Sequence, residues 1–446
     1  MSFLTPRVIH PSRAVALLFL LLIVVGTLLL KLPVAHAQGG ATPWLTALFT
    51  AVSAVCVTGL VVVDTGSHWS GFGQFVIMAL FQLGGFGLMT AAALLGLMVN
   101  RSLRLRSRML TQAETHSVAL GDVGSIARVV FVVTLGCESA LAMALAVRLH
   151  FGHGLGWADA TWSGVFHAIS AFNNAGFALH GDSLMRYAGD AWMLVPVMLG
   201  IVIGGIGFPV MQDLRGRLRD PRHWSLHTKL TLAGSGVLLA GGALALLVFE
   251  WTNAKTLGPM DGPDKLLSAL FASVSARTAG FNSIDTGALT QESLALHYLL
   301  MFIGGGSAGT AGGVKITTAT ILLLLVVAEI RGRPDSEAFG RRVCLAAQRQ
   351  AITVLVLGSV MVVAGTLVLL RVTDFATDRV IFEVISAFGT VGLSTGITAD
   401  LPPVGQLTLI VLMYVGRVGT ITLATSLALG ERRMAWRYPE EHPIVG

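Results

Sequence analysis

The sequence predicts an all-α polytopic membrane protein, and three observations support that prediction. Of its 446 residues, 54% are hydrophobic and only 12% are charged, whereas soluble proteins carry roughly 25% charged residues. Apolar runs long enough to cross about 30 Å of hydrocarbon recur along the whole chain. A short phrase, an apolar stretch followed by Ser-Ala and a polar turn ending in glycine, occurs four times. Together these features predict four helix–pore-loop–helix repeats around a pseudo-fourfold pore, with eight membrane spans.

The four copies of this phrase are spread evenly over the chain. They read FTAVSAVCVTG, FHAISAFNNAG, FASVSARTAG and FEVISAFGTVG, and they end at Gly59, Gly176, Gly280 and Gly392. The third copy is one residue shorter than the others and carries Arg277 in its turn. Recurrence at similar spacing is typical of quasi-equivalent parts around a common axis. In a membrane protein, four such loops indicate an ion pore.

Eight apolar runs are predicted to span the membrane, and each pair of runs flanks one copy of the phrase. The runs cover residues 14–32, 75–99, 126–149, 192–212, 230–249, 294–329, 352–370 and 406–429. The sixth run is long and is interrupted by glycines. These boundaries define repeat 1 at 14–99, repeat 2 at 126–212, repeat 3 at 229–329, repeat 4 at 350–430 and a cytoplasmic tail at 431–446.

The distribution of positive charge sets the expected orientation. Most of the 30 Lys and Arg residues lie near the termini or in loops on one side, such as 101–108, 215–229 and 331–349. By the positive-inside rule, both termini are cytoplasmic and the glycine turns open to the outside. The positive net charge therefore reflects topology, and no nucleic-acid partner is expected. The segment before Gln38 imitates a cleavable secretory signal, but its loss would leave the first repeat one helix short, so retention is expected.

The glycine turns have the composition of a cation filter. A permeating ion exchanges its water shell for protein oxygens, which rings of backbone carbonyls can supply. Successive carbonyls face one axis if the backbone alternates in handedness, and glycine enters the left-handed region at little cost. The short helix before each turn directs its negative end at the axis, which favours cations. Since the turns hold no acidic ring, K⁺ coordination is predicted at Val57, Thr58, Gly59, Asn174, Ala175, Gly176, Thr278, Ala279, Gly280, Thr390, Val391 and Gly392. The alternative is four ordinary re-entrant hairpins.

A second glycine-rich segment predicts a gate. Residues 304–315 read GGGSAGTAGGVK, and glycine costs a helix about 1 kcal/mol per residue relative to alanine. Non-helical backbone inside a membrane is tolerated where it is buried in protein or lines water. A phosphate-binding loop is rejected because Ile316 follows Lys315, where Ser or Thr is needed. The predicted gate consists of Gly304, Gly305, Gly306, Ser307, Ala308, Gly309, Thr310, Ala311, Gly312, Gly313 and Lys315, with Arg417.

Two arginines within membrane segments need partners, because an unpaired charge there is expensive. Arg417 is interpreted as an electrostatic barrier that limits leak and contacts the loop around Ser307; a helix-anchoring arginine is the alternative. Arg277 is expected to point behind the filter and to bond carbonyls or a carboxylate such as Glu383. Glycine pairs in the second spans, such as those at Gly84 and Gly204, are interpreted as helix-packing sites.

No enzyme is predicted, because the histidines are scattered and no nucleophile–base pair or metal cluster emerges. The cysteines Cys56, Cys137 and Cys344 form no disulfide framework or CxxC pattern. Cys56 lies in the first turn, where thiol reagents are expected to reach it from outside. No organic cofactor is expected.

The turns CVTGLVVVDTG, NNAGF, ARTAGFNSIDTG and GTVGLSTG and the loop GGSAGTAGGVK resemble the superfamily of Trk, Ktr and HKT potassium transporters. Within it, the length and eight spans are similar to KtrB-like membrane subunits of the bacterial Ktr system. The resemblance implies K⁺ uptake into the cell through a gated pore in the inner membrane. It implies a filter of four glycines, with Gly59 in place of the serine that accompanies Na⁺ permeation in plant relatives. It also implies a homodimer on a cytosolic KtrA-like ring of nucleotide-binding regulatory subunits, stimulated by Na⁺.

Other transport functions remain open from the sequence. A poorly selective Na⁺/K⁺ channel would use the same turns. A coupled secondary transporter binds its substrate at broken helices, but residues 304–315 contain no carboxylate for coupling. A non-conducting membrane scaffold would leave the four glycines unexplained.

Overall fold

The protein is mainly helical, as predicted. The computed structural model describes residues 11–108, 121–419 and 441. The helices of these residues are α1 Pro11–Leu30, α2 Trp44–Val55, α3 Thr65–His68, α4 Gly71–Arg108, α5 Gly121–His153, α6 Trp157–Asn173, α7 Ala191–Ile206, α8 Phe208–Arg217, α9 Leu226–Glu250, α10 Gly262–Ser275, α11 Gln291–Phe302, α12 Ile316–Ile330, α13 Leu345–Val372, α14 Thr377–Gly389 and α15 Pro403–Tyr414. A π-helical turn, Val415–Gly419, extends α15. Between α12 and α13 lies a small antiparallel hairpin, β1 Glu337–Ala338 and β2 Arg341–Arg342.

Four short helices, α2, α6, α10 and α14, each precede a glycine turn. The phenylalanine that opens each phrase is fully buried in these helices, at Phe49, Phe166, Phe271 and Phe382. Their carboxyl-terminal halves are buried on all sides. Burial all round is the expected state of a helix that is apolar on every face. Each short helix is thus a fixed support for the turn that follows it.

The short helices are arranged in a ring. α6 packs against α4, α10 against α7, and α14 against α11, so each contacts the helix that follows the glycine turn of the preceding repeat, or unit. α2, the short helix of the first unit, packs against α15, which follows the glycine turn of the fourth. The order around the ring is therefore the order along the chain.

Three helices are long and apolar enough to cross a membrane: Arg128–His153, Leu226–Glu250 and Leu345–Val372. Several shorter apolar helices accompany them, so the count of eight spans stays a prediction. The predicted span 192–212 is wrong as a continuous helix, because α7 and the start of α8 meet at 97°. Gly207 makes the bend with φ +93°, a value that side chains disfavour.

Two other predicted spans depart from a single helix. Run 294–329 contains α11 and α12, separated by non-helical residues from Ile303 to Lys315. This interruption was predicted from the six glycines in the stretch, because glycine loses more backbone freedom in a helix than other residues do. Run 406–429 is helical to Tyr414 and π-helical to Gly419; its end and the tail 431–446 lie outside the described residues, apart from Glu441.

Candidate functional site

The four phrase-ending glycines meet around one axis. Each has positive φ, from +70° at Gly176 to +95° at Gly392. A Cβ atom on any of them would lie 2.1–2.7 Å from a carbonyl oxygen of the neighbouring turn. The oxygens are those of Ala175 for Gly59, Ala279 for Gly176, Val391 for Gly280 and Thr58 for Gly392. We call these four closely apposed turns the glycine ring. Only glycine fits here, because a side chain would meet both backbone strain and a rigid carbonyl.

The backbone alternates in handedness along each turn of the ring. The residue two positions before each glycine also has positive φ, at Val57, Asn174, Thr278 and Thr390. The residue between the two does not. The carbonyl oxygens of these intervening residues lie at the contacts between neighbouring turns, at Thr58, Ala175, Ala279 and Val391. The inner face of the ring is thus built from backbone groups and not from charged side chains.

The serine hydroxyl of each phrase forms a hydrogen bond with the backbone at the end of its own turn. Ser53 and Ser386 accept hydrogen bonds through Oγ from the N–H groups of Gly59 and Gly392, at 3.1 and 3.2 Å. Ser170 and Ser275 instead donate from Oγ to the carbonyl oxygens of Phe177 and Phe281. The first and fourth turns thus share one arrangement, and the second and third share another.

A vestibule of about 460 Å³ opens on one side of the glycine ring. It is lined by the four glycines and by residues that follow them, including Asp64, Asp182 and Asp285. Burial opposes ionisation of Asp182, but the hydrogen bond and charge of Arg186 prevail and lower the pKa of this carboxyl group. Because Arg186 is paired with Asp182, the net negative charge of the vestibule comes from Asp64 and Asp285, and it raises the local concentration of cations.

The predicted gate loop lies on the opposite side of the ring from the vestibule. It contacts residues that precede the glycines: a Cβ atom on Gly312 would lie 1.8 Å from Thr390 Oγ1, and one on Gly304 would lie 3.2 Å from Thr278 Cγ2. Gly306 N donates to Gly205 O at 2.8 Å, and Thr310 N donates to Gly204 O at 3.2 Å. The loop is therefore bonded to the end of α7.

The bend at Gly207 makes room for this loop. Phe208 N donates to Ala308 O at 3.2 Å, and a Cβ atom on Gly207 would lie 2.3 Å from Ser307 O. Ser307 Oγ lies 3.0 Å from Thr317 Oγ1 in α12. If α7 continued straight, its next turn could not present these groups to the loop. The available sequence signal for this bend was Pro209, which lies in the first turn of α8, where proline is favoured; Gly207 alone is also compatible with a continuous helix.

Arg417 reaches the loop as predicted from its position. It is 1% exposed, and Nη1 donates to the carbonyl oxygen of Thr310. Thr310 Oγ1 in turn donates to Phe172 O, at the end of α6. Nε and Nη2 of Arg417 have no hydrogen-bond partner among the described residues. Lys315 turns back on the loop, where Nζ donates to the carbonyl oxygens of Ala311 and Gly312. Two cations thus converge on one short segment.

Of the two partners expected for Arg277, carbonyl groups are confirmed and the carboxylate of Glu383 is wrong. Its guanidinium donates to Gly304 O at 3.0 Å and to Ser235 O at 3.4 Å. Glu383 instead accepts from Ser394, Thr395 and Thr398 in the loop after the fourth turn. These polar groups are closer to Glu383 along the chain. The arginine connects the third turn to the first residue of the gate loop.

Two further differences concern single residues. Cys56 is fully buried, so the prediction that reagents reach it from outside is wrong: it lies behind the turn, and Val57 begins the ring. Sequence reasoning also missed Glu138, a buried carboxylate in α5 bonded to Gln82 and Asn173. An acidic residue within the apolar run 126–149 was the available signal.

Glycines of the second helices allow the helices to approach the glycine turns. Cβ atoms on Gly84, Gly204 and Gly416 would lie 2.1, 1.8 and 1.8 Å from carbonyl oxygens at the ends of α2, α6 and α14. The helix-packing interpretation holds for the first two glycines and extends to the fourth unit.

These features define a multi-pass helical membrane protein of the ion-transport class. The chain belongs to the TrkH family of cation transport proteins, whose family model matches residues 5–438. It is 39% identical over 436 residues to the Ktr system potassium uptake protein B of Bacillus subtilis, covering 98% of this chain and 97% of the relative. It is 37% identical over 445 residues to the potassium/sodium uptake protein NtpJ of Enterococcus hirae, covering 98% of each. The predicted family is confirmed.

A solved structure supports the same fold. The potassium transporter TrkH from Vibrio parahaemolyticus superposes with a TM-score of 0.70 at 18% sequence identity. The match covers 97% of this chain and 87% of that protein.

Proposed function

We propose that this protein takes up K⁺ across the cell membrane through a gated, channel-like pore, down the electrochemical gradient. The observation that carries the proposal is the glycine ring, with its alternating backbone in all four turns. The relative from Bacillus subtilis is described as a potassium uptake protein. A membrane potential contributes about 2.3 kcal/mol per charge per 100 mV, so inward flow needs no hydrolysis, and the protein is not an enzyme.

The selectivity filter is proposed to be the backbone of the glycine ring. Carbonyl oxygens replace the water shell of K⁺, a weakly hydrated ion, as in other carbonyl filters. The proposed coordinating residues are Val57, Thr58, Gly59, Asn174, Ala175, Gly176, Thr278, Ala279, Gly280, Thr390, Val391 and Gly392. The negative vestibule supplies cations to this filter from outside.

The gate is proposed to be the loop 304–315 together with Arg417. The bond from Arg417 Nη1 to Thr310 O holds the loop across the inner side of the ring. With two cationic groups there, the closed state repels K⁺ electrostatically as well as blocking it sterically. Opening requires displacement of the loop from Gly204 and Gly205.

The assembly is proposed to follow the Ktr plan named for two relatives. A homodimer would sit in the inner membrane with both termini cytoplasmic, and a cytosolic KtrA-like ring would open the gate. Na⁺ would stimulate transport. The described cytoplasmic loops that could contact the ring include residues 331–349, which carry the hairpin β1–β2.

A second candidate is a weakly selective Na⁺/K⁺ pathway. The relative from Enterococcus hirae is described as a potassium/sodium uptake protein, and it is similar to this chain over nearly its full length. Each turn also has a single glycine in the ring, so the positions of the coordinating carbonyl oxygens are less tightly fixed.

The test is K⁺ and Na⁺ flux through the purified protein in liposomes, for wild type and Gly59→Ser. Its added Cβ would lie 2.4 Å from Ala175 O, so the ring must widen and Na⁺ flux relative to K⁺ should rise at least about tenfold, a 1.4 kcal/mol loss of discrimination. Gly39→Ser is the matched control, because Gly39 also has positive φ but no atom within 4 Å of an added Cβ.

Equal effects of the two substitutions would assign the change to backbone strain and contradict the filter. Wild-type flux with a low K⁺/Na⁺ ratio would favour the second candidate. Flux that needs an opposing Na⁺ or proton gradient would replace the channel by coupled transport.

A further inference from the structure

A buried carboxylate beside the second turn has no place in the proposed pathway. Glu138 is 4% exposed and lies within the apolar span Arg128–His153. An ionisable side chain inside a membrane is costly and usually marks a partner or a function. Among the described residues, no cationic side chain forms an ion pair with Glu138. Only neutral groups therefore stabilise the carboxylate of Glu138 in the described part of the chain.

Two amides supply the hydrogen bonds of Glu138. Gln82 Nε2 donates to Oε2 at 3.0 Å, and Asn173 Nδ2 lies 3.1 Å from Oε1. The same Asn173 nitrogen lies 2.5 Å from Gln82 Oε1 and 2.9 Å from Ile169 O. An amide nitrogen carries two hydrogens, so three acceptors compete for two donors. The Asn173 amide therefore has one acceptor more than it has hydrogens.

We propose that Glu138 is a proton-binding site that controls the second turn of the glycine ring. A protonated Glu138 becomes a donor and requires an acceptor. Rotation of the Gln82 amide presents its oxygen to Glu138 and its nitrogen to Asn173. The Asn173 amide then turns over, offers Oδ1 to Gln82 Nε2, and gives up its bond to Ile169 O. In this second arrangement the Asn173 amide nitrogen faces Gly85 of α4, and its hydrogens lose the bonds to Gln82 and Ile169.

The link from this cluster to the ring is one residue long. Asn173 ends α6, and Asn174, which follows with φ +57°, begins the second turn. Asn173 Oδ1 lies against α4, where a Cβ atom on Gly85 would be 2.0 Å away. With so little free space, an overturned amide must shift the end of α6. We therefore expect protonation to alter the turn and to lower K⁺ flux.

Few other titratable groups face this cluster. α7 carries none, and neither do the described side chains of α4. α6 carries Asp159 in its first turn and His167, which is bonded to Ser163. Cys137 is the neighbour of Glu138 in α5. Glu138 is thus the only carboxyl group bonded to Asn173 in the described part of the chain.

This inference rests on the proposed function, and its first test is K⁺ flux into liposomes buffered equally on both sides from about pH 5 to pH 8. Wild-type flux should fall about fivefold as the pH decreases. Glu138→Gln cannot titrate, so its flux should not depend on pH. The control Glu250→Gln replaces another buried carboxylate, which accepts bonds from Asn253, Thr256 and Thr290, and should retain the wild-type profile.

A second variant keeps the proposal testable if Glu138→Gln folds poorly. Gln82→Leu removes one donor to the carboxylate, so the pH at which Glu138 is half protonated, read from the infrared band described below, should move up by about one unit. The variant also lacks the amide that transmits protonation to Asn173, so its flux should no longer depend on pH. Infrared difference spectra on a pH step report proton binding without transport. The band of a protonated carboxyl group should appear in wild type and in Glu250→Gln and be missing in Glu138→Gln.

An infrared band that persists in Glu138→Gln overturns the proposal, as does a flux profile that parallels wild type. A variant that loses dependence on Na⁺ while keeping its pH profile would identify a sodium site and also overturn it. A wild type without K⁺ flux at any pH, with the regulatory ring added, would contradict the proposed function, and the infrared result would still decide the proton site.

Discussion

Val57, Thr278 and Thr390 hold left-handed backbone angles although their side chains branch at Cβ. Such angles cost roughly 1–2 kcal/mol per residue and persist where surrounding structure determines them. Each strained side chain has a glycine opposite: Gly84 for Val57, Gly304 for Thr278 and Gly312 for Thr390. The glycines of the second helices and of the loop thus also make room for the strained residues of the ring.

Arg417 provides the first prediction at this scale. Replacing it with Gln removes the charge and weakens the bond to Thr310 O. K⁺ leak in the absence of the regulatory subunit should rise about tenfold or more, because a charge-assisted bond contributes roughly 1.5–3 kcal/mol. Tracer flux without the regulator measures it.

Arg371→Gln is the control for Arg417→Gln, since Arg371 is exposed at the end of α13. Its leak should match wild type. If Arg417→Gln leaks no more than Arg371→Gln, the arginine anchors its helix and forms no barrier.

Among the structural elements, the bent pair α7–α8 and the gate loop form a single structural unit. The loop fills the space at the bend, and the bonds from Gly306, Thr310 and Phe208 join them. Since these bonds use backbone groups alone, their strength depends on the bend and hardly on side-chain identity. Displacing the loop leaves these groups unpaired, which makes opening costly without a regulator.

Gly207→Ala tests this coupling. The added methyl group would lie 2.3 Å from Ser307 O at φ +93°, so the loop or the bend must shift. Regulator-independent K⁺ flux should rise several-fold, and the unfolding temperature should fall, because strain and lost bonds destabilise by about 1–3 kcal/mol. Thermal unfolding and tracer flux on the same preparation provide both readouts.

Gly241→Ala serves as the comparison, because Gly241 lies within α9 and an added Cβ meets no atom within 4 Å. This variant should be as stable as wild type or more stable, by about 1 kcal/mol. A Gly207→Ala protein with wild-type flux and stability would show that the loop does not depend on the bend.

The elements that could be predicted from sequence are those fixed by local requirements. Glycine where φ is positive is such a requirement, and the four turns followed from it at Gly59 and its equivalents. A break near Gly207 is indicated by Pro209, but its 97° angle could not be predicted, since it accommodates a loop that lies about 100 residues away. The partners of Arg277 are carbonyl oxygens, which leave no mark in a sequence. The burial of Cys56 depends on which side of the turn faces the axis, and that is set by neighbouring units.

On the scale of the whole molecule, the vestibule combines charges from separate units. Asp64 and Asp285 come from the first and third units and accept hydrogen bonds from Ser67 N and Gly287 N. Their charges act on any cation that approaches the ring, and low-dielectric walls focus such a field.

The double substitution Asp64→Asn and Asp285→Asn removes two charges. It keeps the capping hydrogen bonds, because Asn caps as well as Asp. The K⁺ concentration for half-maximal uptake should rise about threefold at low ionic strength. The difference should shrink as salt is added, because the Debye length falls to about 8 Å at physiological ionic strength.

Asp261→Asn is the matched control for the vestibule variant. Asp261 is exposed before α10 and lies outside the vestibule lining, so its uptake curve should equal that of wild type. A shift that persists at high salt would assign the effect to structure and not to the field.

The contact between α2 and α15 has a consequence for synthesis of the chain. The ring is completed only when the last unit reaches the first, so a nascent chain with three inserted units has an open side toward lipid. Thr58 O then lacks Gly392 as its neighbour, and Val391 O is missing beside Gly280. A partly synthesised chain therefore cannot present a complete ring of carbonyls to an ion.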